Sequence, residues 1–380
     1  MKNKTCVIVL LSLILSFMMP PITARASSLE ADGIWQSMDM DIAEETLQDM
    51  FPEYHFDGKQ VLSLILQGKI LKAFSALFSG IIESFKAQFG EIRDLFVMIL
   101  ILGITAALFS NFADVFQNHQ VSDIAFYFIY LLLITVLIKV FGNAASVVRE
   151  MLNQLITFMQ VLIPTYLLAV GSAAGAASAA AYYQLFFIVV YIIQQCYLSL
   201  LFPFINCFIV LSIINGVWME EKLNMLLDLI HKVIGGCIKI ALGIITGFSV
   251  IQSMISPIID ALGNSALKKA VSVIPGIGNL TEGMFEMVIG SAVLIKNSIG
   301  IYITIVMIFA CALPILKILL LSGVLKLGAA LIGIVCDKRM TNCANRVGDG
   351  SLMLLKLALS SIALFIISIA IAACSTNRGM

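Results

Sequence analysis

The sequence predicts an all-α, polytopic transmembrane helical bundle of about seven to nine spans, preceded by a signal peptide and an exported amphipathic segment. Three observations carry this. From Met151 to Met219 there is no Asp, Glu, Lys, Arg or His. As helix, at about 1.5 Å per residue, that stretch would run on the order of 100 Å against a hydrocarbon core of ~30 Å, so it must cross two or three times. The chain is 60% hydrophobic and only 12% charged, where a soluble domain is about a quarter charged. Further apolar runs of spanning length recur up to the C-terminus.

The N-terminus reads as a secretory signal over residues 1–26. Lys2 and Lys4 form a positive start, 6–18 is a short apolar run, Pro20 and Pro21 break it, and Ala24-Arg25-Ala26 supplies a small-residue cleavage site. An uncleaved anchor helix is the alternative; both place residue 27 onward on the outer side. Residues 27–94 form an exported unit. Its first part is acidic, with Glu30, Asp32, Asp39, Asp41, Glu44, Glu45 and Asp49 and no Lys or Arg up to Pro52. From Gln60 to Arg93, Leu62, Ile65, Leu66, Ile70, Phe74, Leu77, Phe78 and Ile81 recur at helical spacing. Such a helix lies on the bilayer, docks on a partner, or packs on the protein's own bundle.

Residues 95–373 form the membrane domain and 374–380 a tail. Spans are expected at 95–112, 124–141, 153–171, 183–201, 204–218, 233–255, 301–316, 318–336 and 352–373. The pair 183–201 and 204–218, split at Pro203, is either two crossings or one kinked helix. Polar loops are expected around Arg149 and Glu150 and from Asp337 to Arg346. Residues 256–300, with Pro257, Gly263, Pro275, Gly276 and Gly278, read as a turn-rich loop.

Formal net charge is zero, so no nucleic acid binding is expected, and no polybasic cluster marks anionic lipid. His55, His119 and His231 are scattered, and the chain has no H-E-x-x-H, G-x-G-x-x-G, P-loop or C-x-x-C. No catalytic residue, cofactor or metal site is therefore expected. Charges inside spans are the next candidates, because they are costly in hydrocarbon. Lys239 and Lys326 lie several residues from span ends, with no acidic partner expected within a span. Lys139 and Lys356 are near enough to ends to snorkel, and Lys317 marks a tight turn between two spans.

The run from Gly171 to Ala181, GSAAGAASAAA, is the most distinctive composition. Gly171, Ala174, Gly175 and Ala177 let helix backbones approach closely, following Pro164, and suit a seam within the chain or between subunits.

Taken together, FMQVLIPTYLLAVGSAAGAASAAAYY (158–183), ALKKAVSVIPGIGNLTEGMFEMVIGSAVLIKNSIG (266–300) and ALPILKILLLSGVLKLGAAL (312–331) resemble the stage III sporulation protein AE family of endospore-forming bacteria. The most specific parts are Pro164 with the small-residue run, Lys269 with Pro275 and Gly278, and Ser291 with Leu294, Lys296, Asn297 and Gly300. The resemblance implies a non-enzymatic integral subunit of a channel, a secretion-like "feeding tube" between mother cell and forespore. It implies other stage III membrane proteins and a cytosolic ATPase as partners, membrane lipid around the bundle, and a place in the mother-cell-derived membrane with the N-terminal segment outside. An autonomous permease for a small molecule or lipid is the alternative. A homo-oligomer through the small-residue run is also expected.

That last expectation has a direct check. Ala174→Leu with Ala177→Leu should dissolve the assembly on native gels if the seam joins subunits; an unchanged band places the seam within one chain.

Overall fold

A computed structural model describes residues 58–66, 69, 72, 90, 93, 94, 96–98, 101, 104, 105, 119–174, 177–217, 222–272, 278–335 and 338–374. Side chains of the long helices are described for 130–160, 184–217, 222–248, 300–334 and 338–370, with Tyr127, Phe128 and Val250. The expected signal peptide and acidic segment lie outside the described residues.

All described secondary structure is helical. The elements are α1 (Gly58–Leu66), α2 (His119–Ala174), α3 (Ala177–Cys196), a π-helical turn (Tyr197–Leu201), α4 (Phe202–Val217), α5 (Asn224–Ser272), α6 (Gly278–Val335) and α7 (Lys338–Cys374). Five stretches within them are long and apolar enough to cross a membrane: Tyr130–Gln160, Gln184–Val217, Asn224–Phe248, Gly300–Ile334 and Lys338–Ala370.

These five are counted among the described residues, whereas the expected seven to nine extend over the whole chain; within the described residues, several features read as turns lie inside helices. Arg149 and Glu150 are interior to α2, which merges the stretches expected at 124–141 and 153–171. Lys317 is interior to α6, which also carries Pro314. Neighbouring helices can satisfy the backbone groups that a proline frees. The expected polar loop after Asp337 is the start of α7. The expected loop at 256–300 is mostly the end of α5 and the start of α6. Of the expected span at 95–112, the described residues are helical, and Val97, Met98, Ile101 and Ile104 are exposed.

The crossing from Gln184 to Val217 is the kinked single span. A proline ring clashes with the carbonyl four residues back, here that of Ser199. The chain widens at this point into the π turn, where the Phe202 N–H donates to the Tyr197 carbonyl, five residues back.

α7 is the centre of the bundle and packs on α2, α3, α4, α5 and α6. Of its most apolar window 67% is buried, against 22% for α5. Ala344, Val347, Leu354, Leu357, Ala358 and Phe365 are all fully enclosed. Glycines permit the closest approaches. A Cβ on Gly350 would collide with Ile209, and one on Gly216 would collide with the Tyr130 hydroxyl. That hydroxyl is held by the Ile213 carbonyl at 2.9 Å.

Cross-helix pairs fix the directions. Tyr130 meets Gly216 and Cys343, Gln194 meets Ser361, Phe158 meets Phe365, and Asp228 meets Arg346. α2 and α5 thus run parallel to α7, while α3–α4 and α6 run antiparallel to it. The end of α4, the start of α5, the end of α6 and the start of α7 consequently lie at the same end of the bundle. α1 adds Val61, Leu62 and Ile65 to the core and packs on α6. This part of the amphipathic segment therefore docks on the protein's own bundle.

α2, α5 and α6 hold 56, 49 and 58 residues. As straight helices these would measure about 75–87 Å, well beyond a ~30 Å hydrocarbon core.

Gly216→Ala should lower the melting temperature of the purified protein by an amount matching about 1–3 kcal/mol of overpacking. Gly142→Ala, whose added methyl meets nothing within 4 Å, should leave it unchanged. Adding Tyr130→Phe to Gly216→Ala should recover part of the loss, because it removes the atom the methyl strikes.

Candidate functional site: paired charges at membrane depth

Lys326 of α6 is the best-held cation in the bundle. Its Nζ donates to Asp349 Oδ1 at 2.7 Å, to Asn345 Oδ1 at 2.6 Å and to the Asn345 carbonyl at 3.1 Å. Asn345 and Asp349 stand one turn apart on α7, so both face the same incoming side chain. The stem of Lys326 lies across Gly348, where a Cβ would come within 2.9 Å of its Cδ. Lys326 and Asp349 are 28% and 29% exposed. Lys326 lies nine residues before the end of α6 and Asp349 eleven after the start of α7, roughly 14–17 Å along the helices from that turn.

This corrects an expectation. Lys326 was expected to have no acidic partner within a span, because the stretch carrying Asp349 read as a loop. The Asn345–Asp349 spacing was the available signal; the surrounding Gly348 and Gly350 disguised it as a turn.

A second pair stands beside the first. Arg346 Nη1 donates to Asp228 Oδ1 on α5 at 2.6 Å; Asp228 is 56% exposed and Arg346 24%. At the same end Asn215 clamps the turn between α4 and α5. Its Nδ2 donates to Asn224 Oδ1 at 3.0 Å, and its Oδ1 accepts from the Leu223 N–H at 2.8 Å. Deeper in the bundle, Gln194 Nε2 donates to the Ser361 carbonyl at 2.8 Å, and the Ser361 hydroxyl donates to Gln194 Oε1.

Lys239, the other expected intramembrane cation, is exposed on α5 and joins no cluster. Lys139 is exposed on α2 and Lys356 on α7. Lys356 lies eighteen residues inside α7, not near its start, and Lys317 is helix interior, not a turn. Arg149 lies over the Phe202 ring, 5.3 Å from its centroid, a favourable placement for a guanidinium.

Pro164, Gly171 and Ala174 lie in α2, and Ala177 opens α3. Gly175 and Pro275 lie outside the described residues. Lys269 is in α5, Gly278 opens α6, and Lys296, Asn297 and Gly300 follow within it. The buried Thr304 hydroxyl donates to the Gly300 carbonyl at 2.7 Å.

Among the described residues, no three His, Cys, Asp or Glu side chains converge on a metal-sized site. A hollow between Asp94, Val97 and Ile101 and the α2 residues Leu132 and Val136 has an almost wholly apolar wall. The arrangement is suited to holding helices in register, and among the described residues of the cluster no nucleophile stands beside a base.

A family model described as stage III sporulation protein AE matches residues 56–376. The stage III sporulation protein AE of Bacillus subtilis (strain 168) is similar to this chain, 25% identical over 314 residues, covering 81% of this chain and 76% of the relative. No solved structure matches.

Breaking the Lys326 pair should be costly and removing it whole should not. Asp349→Ala should destabilise by about 1–3 kcal/mol, below the 3–5 kcal/mol of a fully buried pair because about a quarter of each side chain is exposed. Lys326→Met with Asp349→Leu should recover most of that loss in a thermal melt. Additive losses would show that the two groups act independently.

Proposed function

Because the chain belongs to the stage III sporulation protein AE family, we propose that it is a non-enzymatic membrane subunit of the channel, a secretion-like complex, that links mother cell and forespore and serves late forespore development. The match from 56 to 376, which takes in all five apolar spans, carries this reading. The side-chain chemistry supports it. The charges of the candidate site are spent on partners in neighbouring helices, as suits a scaffold or pore-forming subunit.

In this reading the partners are the other stage III membrane proteins and their cytosolic ATPase, and the site is the mother-cell-derived membrane around the forespore. With the N-terminal segment exported and a crossing at 95–112, α2 enters from the cytoplasm. The α4–α5 and α6–α7 junctions then face the cytoplasm too. Lys222, Lys338 and Arg339 at that end agree with the positive-inside rule.

The permease reading gains one observation: Asp349 is a carboxylate inside a span, paired with a lysine, as ion-coupled transport uses. Two measurements separate the readings. A C-terminally tagged chain, extracted in mild detergent from sporulating cells, should bring down the other stage III membrane proteins and the ATPase; recovery of the chain alone would overturn the channel-subunit reading. Purified protein in liposomes should carry no substrate flux by itself. Flux abolished by Lys326→Ala would establish the permease instead.

A further inference from the structure

Two exposed polar faces of the bundle lie at one membrane depth. On α2, Lys139, Asn143, Ser146, Glu150, Asn153 and Thr157 are all exposed. Their spacing alternates between four and three, which puts them on a single helix face. The opposite face is the buried stripe through Ala144, Val148, Leu152 and Leu155. The polar face thus runs through the middle of the Tyr130–Gln160 span and points away from its own bundle. Lipid is a poor neighbour for it.

The second face lies on α7 between α5 and α6. Asp349 reaches α6 and Arg346 reaches α5, so the surface between those helices carries Asp349 and, seven residues on, Lys356. Lys356 is exposed. Lys239 is eleven residues beyond Asp228, about three turns, and so lies on the same side of α5; it too is exposed.

Helix register sets the heights. Asp228 is level with Arg346, and α5 runs with α7. Lys239, eleven residues on, is therefore level with residue 357. Phe202 lies seven residues from Ile209, about 10 Å along the helix, and Ile209 abuts Gly350. Because α4 runs against α7, Phe202 is also level with residue 357. Arg149 sits over Phe202, which brings Glu150 to the same height. Glu150, Lys239 and Lys356 thus share one depth, and among the described residues none of the three has an ion-pair partner.

We propose that Glu150 of one copy of this chain pairs with Lys356 and Lys239 of a second copy, with the polar stripe of α2 seated along the α5–α7 face of its neighbour. Copies in one membrane are related by rotation about the membrane normal, which preserves depth. Only groups at a common depth can meet across such a contact, and these do, with opposite charge. The two faces differ, so the contact is head-to-tail, and it forms a ring where the rotation closes. The interface is separate from the small-residue run and stands whatever the assembly conveys.

The test uses two differently tagged full-length chains expressed together in membranes, one with Glu150→Cys and the other with Lys356→Cys. Oxidation should give a product carrying both tags, at least tenfold above the background from native cysteines. Moving the second cysteine to Leu331, exposed but about 20 Å away in height, should abolish it. Glu150→Lys in one chain should weaken co-purification of the tags, and Lys356→Glu in the other should restore it. The proposal is overturned if no mixed product forms while Glu150→Cys reacts freely with a water-soluble maleimide, which would put the stripe on a water-filled path. It is equally overturned if Glu150→Cys and Lys356→Cys cross-link only to a different protein.

Discussion

Hydrocarbon offers no partner to a charge, so each charged group in these five helices must find one in protein or water. The central helix α7 supplies the partners at one end of the bundle. Asn345 and Asp349 hold Lys326 from one side, and Arg346 holds Asp228 on the other. These contacts need α7 close to its neighbours. Gly348 leaves room for the lysine stem, and Gly350 leaves room for Ile209. The hydroxyls of Ser351, Ser360 and Ser368 are answered by carbonyls of α7 itself, so they enter the core without needing a neighbour. Gln194 and Tyr130, by contrast, are met across the helices, by Ser361 and by the Ile213 carbonyl.

The same constraint divides the bundle into a tied end and a long end. The α4–α5 and α6–α7 junctions, the Asn215 clamp and both of these ion pairs lie together. At the opposite end α2 runs on as helix to Ala174 and α5 to Ser272, and α6 begins at Gly278. A subunit built this way keeps its spans in register at one end and carries long helices away from it. This suits a member of a larger membrane assembly, whose working surfaces are those the single chain leaves uncovered.

The fold class was legible because hydropathy over long windows needs no tertiary information. The boundaries were not. Arg149 with Glu150, Lys317, and the stretch from Lys338 to Ser351 all carry the polarity that marks a turn in an isolated segment. Each stays helical here, within a long helix that packs against its neighbours. Lys326 was legible as a charge within a span, but its partner depends on which helices lie side by side. The polar stripe on α2 was written in the spacing from Lys139 to Thr157, and dividing that helix at a supposed loop hid it. The small-residue run and the stretch around Pro275 stand out by composition alone.

The alternation of five spans is the claim on which the shared end, the depths and the interface all depend, and labelling of two turns tests it most directly. Single cysteines replacing Lys222 and Lys338, both exposed, would be probed with a membrane-impermeant maleimide in sealed, correctly oriented vesicles. With two crossings between them, α5 and α6, both positions must be labelled from the same side. Labelling from opposite sides would require a third crossing between residues 223 and 337 and would contradict the account.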